Sequence, residues 1–89
     1  MKRRFLARWS RLLSVIANPT RLMILSELAK GMKCVNDMRE LLDIPQPNVS
    51  QHLMALRESG LVECRHDGVF RCYYVTQPDL VRGLLQVLS

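Results

Sequence analysis

Apolar side chains recur along this chain at helical spacing, and the faces they define differ from one segment to the next. In residues 4–16, Leu6, Trp9, Leu13 and Ile16 line one side while Arg4, Arg8 and Arg11 line the other, the mark of an amphipathic helix. Asn18-Pro19 then makes a boundary: an N-cap residue followed by proline at the first helical position. A second helix is predicted from there to residue 30, with Leu22, Leu25, Leu28 and Ala29 inward and Gly31 ending it. Val35, Met38 and Leu42 form the stripe of a third helix over about 35–42. A short turn, Ile44-Pro45-Gln46-Pro47, leads into a fourth, in which Val49, Leu53 and Leu56 share one face. Gly60 stops that helix. Two β-rich runs follow, LVEC and VFRCYYV, joined around Asp67-Gly68, a strong hairpin signal. Tyr73 and Tyr74 alternate across the second run, so one of them belongs to the core. Residues 77–88 make a last helix, with Leu80, Val81, Leu84, Leu85 and Leu88 apolar. That stripe is too wide for one contact and asks for both a core and a partner.

The order is α-α-α-α-β-β-α, a mainly α chain with one small β-hairpin. The third and fourth helices, joined by so tight a turn, fit helix-turn-helix geometry. A following hairpin, or wing, over about 61–76 makes the plan of a winged helix, with the recognition helix at about 46–59. On that helix, Asn48, Gln51 and Ala55 lie opposite the apolar stripe. Asn and Gln pair bidentately with base edges, and small neighbours let a backbone approach a groove. The plainer alternative is an amphipathic helix that happens to carry amides outward.

At 89 residues the chain is a single domain, 1–89, with a thin core for which dimerisation is a common remedy. The net charge of +5 suits a polyanionic partner. It is unevenly placed: residues 1–33 hold eight Lys or Arg against Glu27 alone, whereas residues 34–89 hold five basic and seven acidic residues. The segment with the reading helix is therefore slightly acidic, so phosphate contacts should come from the wing and the amino-terminal region. Three cysteines, Cys34, Cys64 and Cys72, are an odd number without a secretion signal, which points to a reducing cytoplasm. Arg8 and Arg11 break the apolar run that a signal peptide would need. No run approaches a membrane span.

With these elements placed, the chain resembles the ArsR/SmtB family of bacterial winged-helix repressors. The strings that carry the resemblance are ANPTRLMILSEL, LLDIPQPNVSQHLMALRESGLV and DGVFRCYYV. The family implies a homodimer formed by the first and last helices, here through Leu6, Trp9, Leu13, Ile16, Leu80, Leu84, Leu85 and Leu88. It also implies binding to an operator beside the repressor's own promoter, with release by an effector. Carried over by position, Gln46, Asn48, Ser50, Gln51 and His52 are the residues that meet DNA. Ser50 and His52 lie on the helix flanks, where phosphate contact is expected; for His52 a plain solvated side chain is the alternative. Arg65, His66 and Arg71 on the wing are placed for phosphate or the minor groove.

The effector site departs from the family pattern. Members that sense arsenic or soft metals often carry Cys-x-Cys at the start of the third helix, a spacing that suits soft ions. Here the string is Cys34-Val35-Asn36-Asp37-Met38-Arg39; only the first cysteine remains, and Arg39 adds a repelling charge. The family's zinc site on the last helix is reduced to Asp79. A short strand before the third helix commonly pairs with the wing's last strand in winged helices, which would bring Cys34 near Cys72. With Asp67-Gly68 as the turn, Cys64 opposes Arg71 and Cys72 opposes Glu63, so Cys64 and Cys72 face apart. The cysteines are then candidates for an oxidant or reactive-sulfur response, or for a soft metal or metalloid ion, or are merely small residues of core and surface.

The expectation is a cytoplasmic DNA-binding repressor whose partners are a double-stranded operator and a second copy of itself, not a membrane. Nothing resembles a nucleophile–base pair or a phosphate loop, so an enzyme is not expected. A protein-interaction module of the same fold and a basic peripheral membrane protein are the alternatives.

Overall fold

In the computed structural model, which describes residues 1–89 except the side chain of Gln46, helix α1 (Arg3–Ile16) leads into α2 (Pro19–Leu28) through a tight corner. A two-residue strand β1 (Lys33–Cys34) precedes α3 (Val35–Leu42) and α4 (Gln46–Glu58). The wing is β2 (Val62–Asp67) and β3 (Phe70–Val75), and α5 (Pro78–Leu88) closes the chain. No described helix is long and apolar enough to cross a membrane.

Local chemistry accounts for the boundaries. Asn18 Oδ1 accepts hydrogen bonds from the backbone N–H groups of Thr20 (2.9 Å) and Arg21 (3.1 Å), while Pro19 gives up no donor at the first helical position. The end of α4 is a Schellman motif: Gly60 N–H donates to Arg57 O and Leu61 N–H to Leu56 O. Gly60 holds φ at +86° there, and the accompanying apolar pair, Leu56 and Leu61, is buried. Thr76 fastens the wing's other strand to the same corner, with Oγ1 donating to Gly60 O at 2.6 Å and N–H donating to Leu61 O at 3.0 Å. Asp43 supplies the left-handed residue that ends α3, with φ +53°, a conformation Asp tolerates better than most residues.

One core joins Ile24, Leu25 and Leu28 of α2 to Met38 of α3 and to Val49, Leu53 and Leu56 of α4, with Leu61, Val62 and Tyr73 from the wing base and Val81 from α5. Ile24, absent from the expected inward set, has no exposed surface. α2 is apolar on several sides, and periodicity alone does not choose among them. Ile16 is a correction of another kind. It was expected on the dimer face but is buried inside the protomer, because the chain turns at Asn18 and folds the end of α1 onto the core. Leu6, Trp9, Leu13 and Leu88 stay exposed, joined by Phe5 and Val87. Leu80, Leu84 and Leu85 pack half-buried against the core.

The sheet order is β1-β3-β2, all antiparallel. The wing register corrects the sequence expectation. Asp67 pairs with Phe70, so the turn is Gly68-Val69, and Cys64 opposes Tyr73 while Cys72 opposes Arg65. Gly68 alone takes a positive φ, +63°, as in a II′ hairpin with glycine at the first turn position. The slip is two residues along the partner strand, so it preserves facing: Cys64 and Cys72 still lie on opposite sides. Cys64 shares the core side with Tyr73, Tyr74 lies on the outer side, and Cys72 sits beside Cys34, to which it is joined by a disulfide.

Replacing Asn18 by Ala leaves two helix-start donors without their side-chain acceptor. It should lower stability by about 1 kcal/mol, whereas Asn18→Asp should retain most of it. Urea unfolding of the two variants against the parent sequence is the check.

Candidate nucleic-acid interface

Because Val49, Leu53 and Leu56 are wholly buried, the opposite side of α4 has to face water. Asn48 and Gln51 are exposed there. Ala55 does not belong with them: it is half-buried and lines a cavity of about 350 Å³ with Arg8, Arg11, Leu12 and Val15 of α1. The outward amide face is therefore confined to the first half of the helix. Gln46, expected to contact DNA, has a side chain outside the described residues.

His52 is more than a flank residue. Its Nδ1 accepts a hydrogen bond from Arg21 Nε at 3.2 Å, and Arg21 Nη1 donates to Val15 O at 2.9 Å. One guanidinium thus ties the end of α1 and the start of α2 to the middle of α4. Partial desolvation, and then the Arg21 charge, hold the His52 imidazole below its ordinary value of 6.5. With Nδ1 accepting, the neutral ring carries its proton on Nε2, which leaves one donor for an outside acceptor. No local sequence pattern announces this contact, since the partners stand 31 residues apart.

The wing is tied to α4 at its base. There, Glu63 accepts from Arg57 Nε at 2.8 Å and from the Cys64 backbone N–H at 2.9 Å. The backbone bond, opposed by desolvation and aided by Arg57, keeps the Glu63 carboxyl below its usual range. Beside it, burial pushes the Tyr73 phenol up, next to the Cys64 thiol. Toward the tip, Arg65, His66 and Arg71 are exposed, and His66 and Arg71 are cross-strand partners. A cleft of about 300 Å³ separates the wing from the helices. Ser50 of α4 lines one side, His66 and Arg71 line the other, and Cys34, Val35 and Asn36 form its end. Five of the residues expected to meet DNA are therefore arranged around two features: Asn48 and Gln51 on the outward face, and Ser50, His66 and Arg71 around the cleft. Arg65 lies on the outer side of the wing, opposite Cys72.

The cysteines do not gather into one cluster. The Cα atoms of Cys34 and Cys72 are 3.8 Å apart across β1 and β3 and their sulfurs are bonded; Cys64 is free, half-buried on the other face. Among the described residues, no group of three His, Cys, Asp or Glu side chains is placed to hold a metal ion.

The depressed His52 value has a sign. The neutral ring is favoured by folding, so its contribution is complete above pH 6.5 and is lost as pH falls through the lower folded value. Proton NMR should show the His52 ring titrating below 6.5, and Arg21→Ala should move the His52 midpoint upward. A His52 midpoint at or above 6.5 would contradict the arrangement.

Comparison with known proteins agrees with this geometry. A family model described as bacterial regulatory protein, arsR family, matches residues 18–63, which hold α2, α3 and α4. An HTH-type transcriptional regulator of Methanocaldococcus jannaschii is 38% identical over 73 residues, 81% of each chain. The biofilm growth-associated repressor of Agrobacterium fabrum is 38% identical over 77 residues, 86% of this chain and 65% of that one. Among solved structures, the homodimeric winged helix-turn-helix DNA-binding domain of a possible ArsR-family regulator from Mycobacterium bovis superposes with a TM-score of 0.85 at 31% identity, covering 99% of this chain and 86% of that one. With motif, fold and outward amides in agreement, this chain belongs to the arsR family of bacterial regulatory proteins and is a DNA-binding transcriptional regulator rather than an enzyme.

Proposed function

We propose that the protein is a cytoplasmic, homodimeric repressor that reads a pseudo-palindromic operator beside its own promoter and leaves it when an effector acts. The observation that carries the reading is the exposed Asn48 and Gln51 on a helix whose other face is locked in the core. The cleft with Ser50, His66 and Arg71 beside it gives a phosphate strand a place to lie. The Agrobacterium fabrum relative is a repressor. A dimer is supported by the unpartnered Leu6, Trp9 and Leu13 on α1 and Leu88 on α5, a larger apolar display than a monomer of this size usually keeps in water. The Mycobacterium bovis domain is described as homodimeric. Two recognition helices related by a twofold axis suit half-sites about one helical turn apart.

The thiol reading is favoured by the cross-strand bond itself. β1 runs directly into α3, and β3 is the wing's central strand, so Cys34–Cys72 ties the helix-turn-helix to the wing. A peroxide-class oxidant would take two electrons and two protons from the two thiols, form the S–S bond and leave as two waters. The bonded form would then be the one that leaves DNA. A soft-metal response has less support, because this bond occupies two of the three sulfurs.

Gln51→Ala should reduce discrimination between operator and random duplex by the worth of one base contact, about 1–3 kcal/mol, with unchanged folding. Fluorescence anisotropy at fixed salt gives the ratio; an unaltered ratio would remove Gln51 from the readers. Oxidation of the parent protein should weaken operator binding at least ~5-fold. Cys34→Ser and Cys72→Ser should abolish that response, and Cys64→Ser should keep it. A Cys34→Ser protein still released by the same oxidant would rule out the bond as the switch.

A further inference from the structure

The most exposed of the large apolar side chains is not on the dimer face. It is Val69 at the very tip of the wing, 94% exposed, and Phe70 beside it is 54% exposed. The II′-type turn at Gly68 makes the tip a prong two strands wide. Neither residue belongs to the hydrophobic core, so folding gains little from two large apolar groups there. The flanks of the prong are basic: Arg65, His66 and Arg71. Of the two acids on β2, Glu63 is paired with Arg57 at the base, which leaves Asp67, the cross-strand partner of Phe70, as the one acid near the tip.

The cleft says where this prong goes. It has Ser50 of α4 on one side and Phe70, Arg71 and His66 on the other. This step rests on the reading that α4 enters the major groove. A sugar–phosphate strand lying in the cleft then separates α4 from the wing. Across one strand from a major groove is the neighbouring minor groove. That groove is about 6 Å wide, its negative potential attracts cations, and its sugar walls and floor accept apolar side chains inserted between base steps. A thin prong with basic sides and an apolar end matches each of these properties.

We infer that Val69 and Phe70 form a minor-groove wedge, with Phe70 the principal contact, and that they make the protein prefer A·T over G·C steps flanking each half-site. The preference has a simple origin: the guanine N2 amino group projects from the groove floor into the space the wedge would fill.

The probe is the duplex that the parent protein selects from a random-sequence pool, with minor-groove protection mapped by hydroxyl-radical cleavage. Phe70→Ala should weaken binding on the order of tenfold, the low end for losing a buried phenyl group, and Phe70→Leu should recover most of it. Neither removes a charge, so the slope of affinity against salt should not change, whereas Arg71→Ala should flatten it by about one phosphate's worth. Replacing the protected A·T step by G·C should weaken the parent protein. Inosine·C, which lacks the N2 amino group, should restore it, and Phe70→Ala should be indifferent to all three. Phe70→Ala binding as tightly as the parent would overturn the wedge and leave the reading of α4 standing. So would a parent protein that does not distinguish G·C from inosine·C. A parent protein that selects no duplex would overturn the reading of α4 and the wedge together.

Discussion

Val49, Leu53 and Leu56 have no exposed surface, and their burial decides where every other residue of α4 points. A helix that carries its apolar residues on one stripe has one free rotation about its own axis, and the core fixes it. Once it is fixed, Asn48 and Gln51 have nowhere to go but outward. Their exposure is thus a consequence of packing rather than of any contact they make themselves. The Schellman end at Gly60 extends the same constraint into the wing. Leu56 lies in the last turn of the helix and Leu61 just before the strand, and both are buried at the corner between them. Rotating α4 would therefore displace the wing as well.

Polar contacts then set the positions that apolar packing leaves loose. Arg21 spans from the Val15 carbonyl to His52 and so fixes the height of α4 against the corner between α1 and α2. Arg57 and Glu63 do the same between the end of α4 and β2. The second pair is exposed and adds little to stability; its effect is on alignment. The Arg21–His52 contact has a further consequence. It takes one side of an imidazole that the sequence offers wholly to DNA, and leaves a neutral ring with a single donor.

How much of this could be read in the sequence depended on whether a pattern had one physical interpretation. The third helix was legible to the residue, since Met38 is the one inward choice flanked by Val35 and Leu42. The face of α4 was legible too, because its apolar stripe is narrow. α2 was not: with apolar side chains on several sides, Ile24 could not be ranked above Leu22. The α1 stripe was legible as a face but not as an interface. Leu6, Trp9, Leu13 and Ile16 are periodic, yet the corner at Asn18 sends Ile16 into the protomer and leaves the other three outside. The hairpin turn was misplaced because glycine accepts a positive φ at either central position. The pleat forgave the error, since a shift of two residues keeps every side chain on its face. The Arg21–His52 contact had no local trace, and neither did the apolar tip of the wing, which reads as ordinary β-rich sequence until the turn is placed.

The Cys34–Cys72 bond brings these strands of reasoning to one point. β1 is two residues long and offers little ladder of its own, so what holds it to β3 is the pairing of Lys33 with Tyr73 and of Cys34 with Cys72. Cys72 is buried but lies outside the main hydrophobic cluster, on the face turned away from Tyr73. Breaking the bond therefore opens no cavity in the core, and the fold keeps its principal source of stability in either state. What would change is the stiffness of the joint between the start of α3 and the wing, at the end of the cleft that lies beside α4. A link that costs the core nothing and sits at the end of the cleft would, on the proposed reading, bias the spacing of helix and wing without endangering the fold. On the proposed redox reading, that separation of function from stability would let the protein leave DNA folded and return.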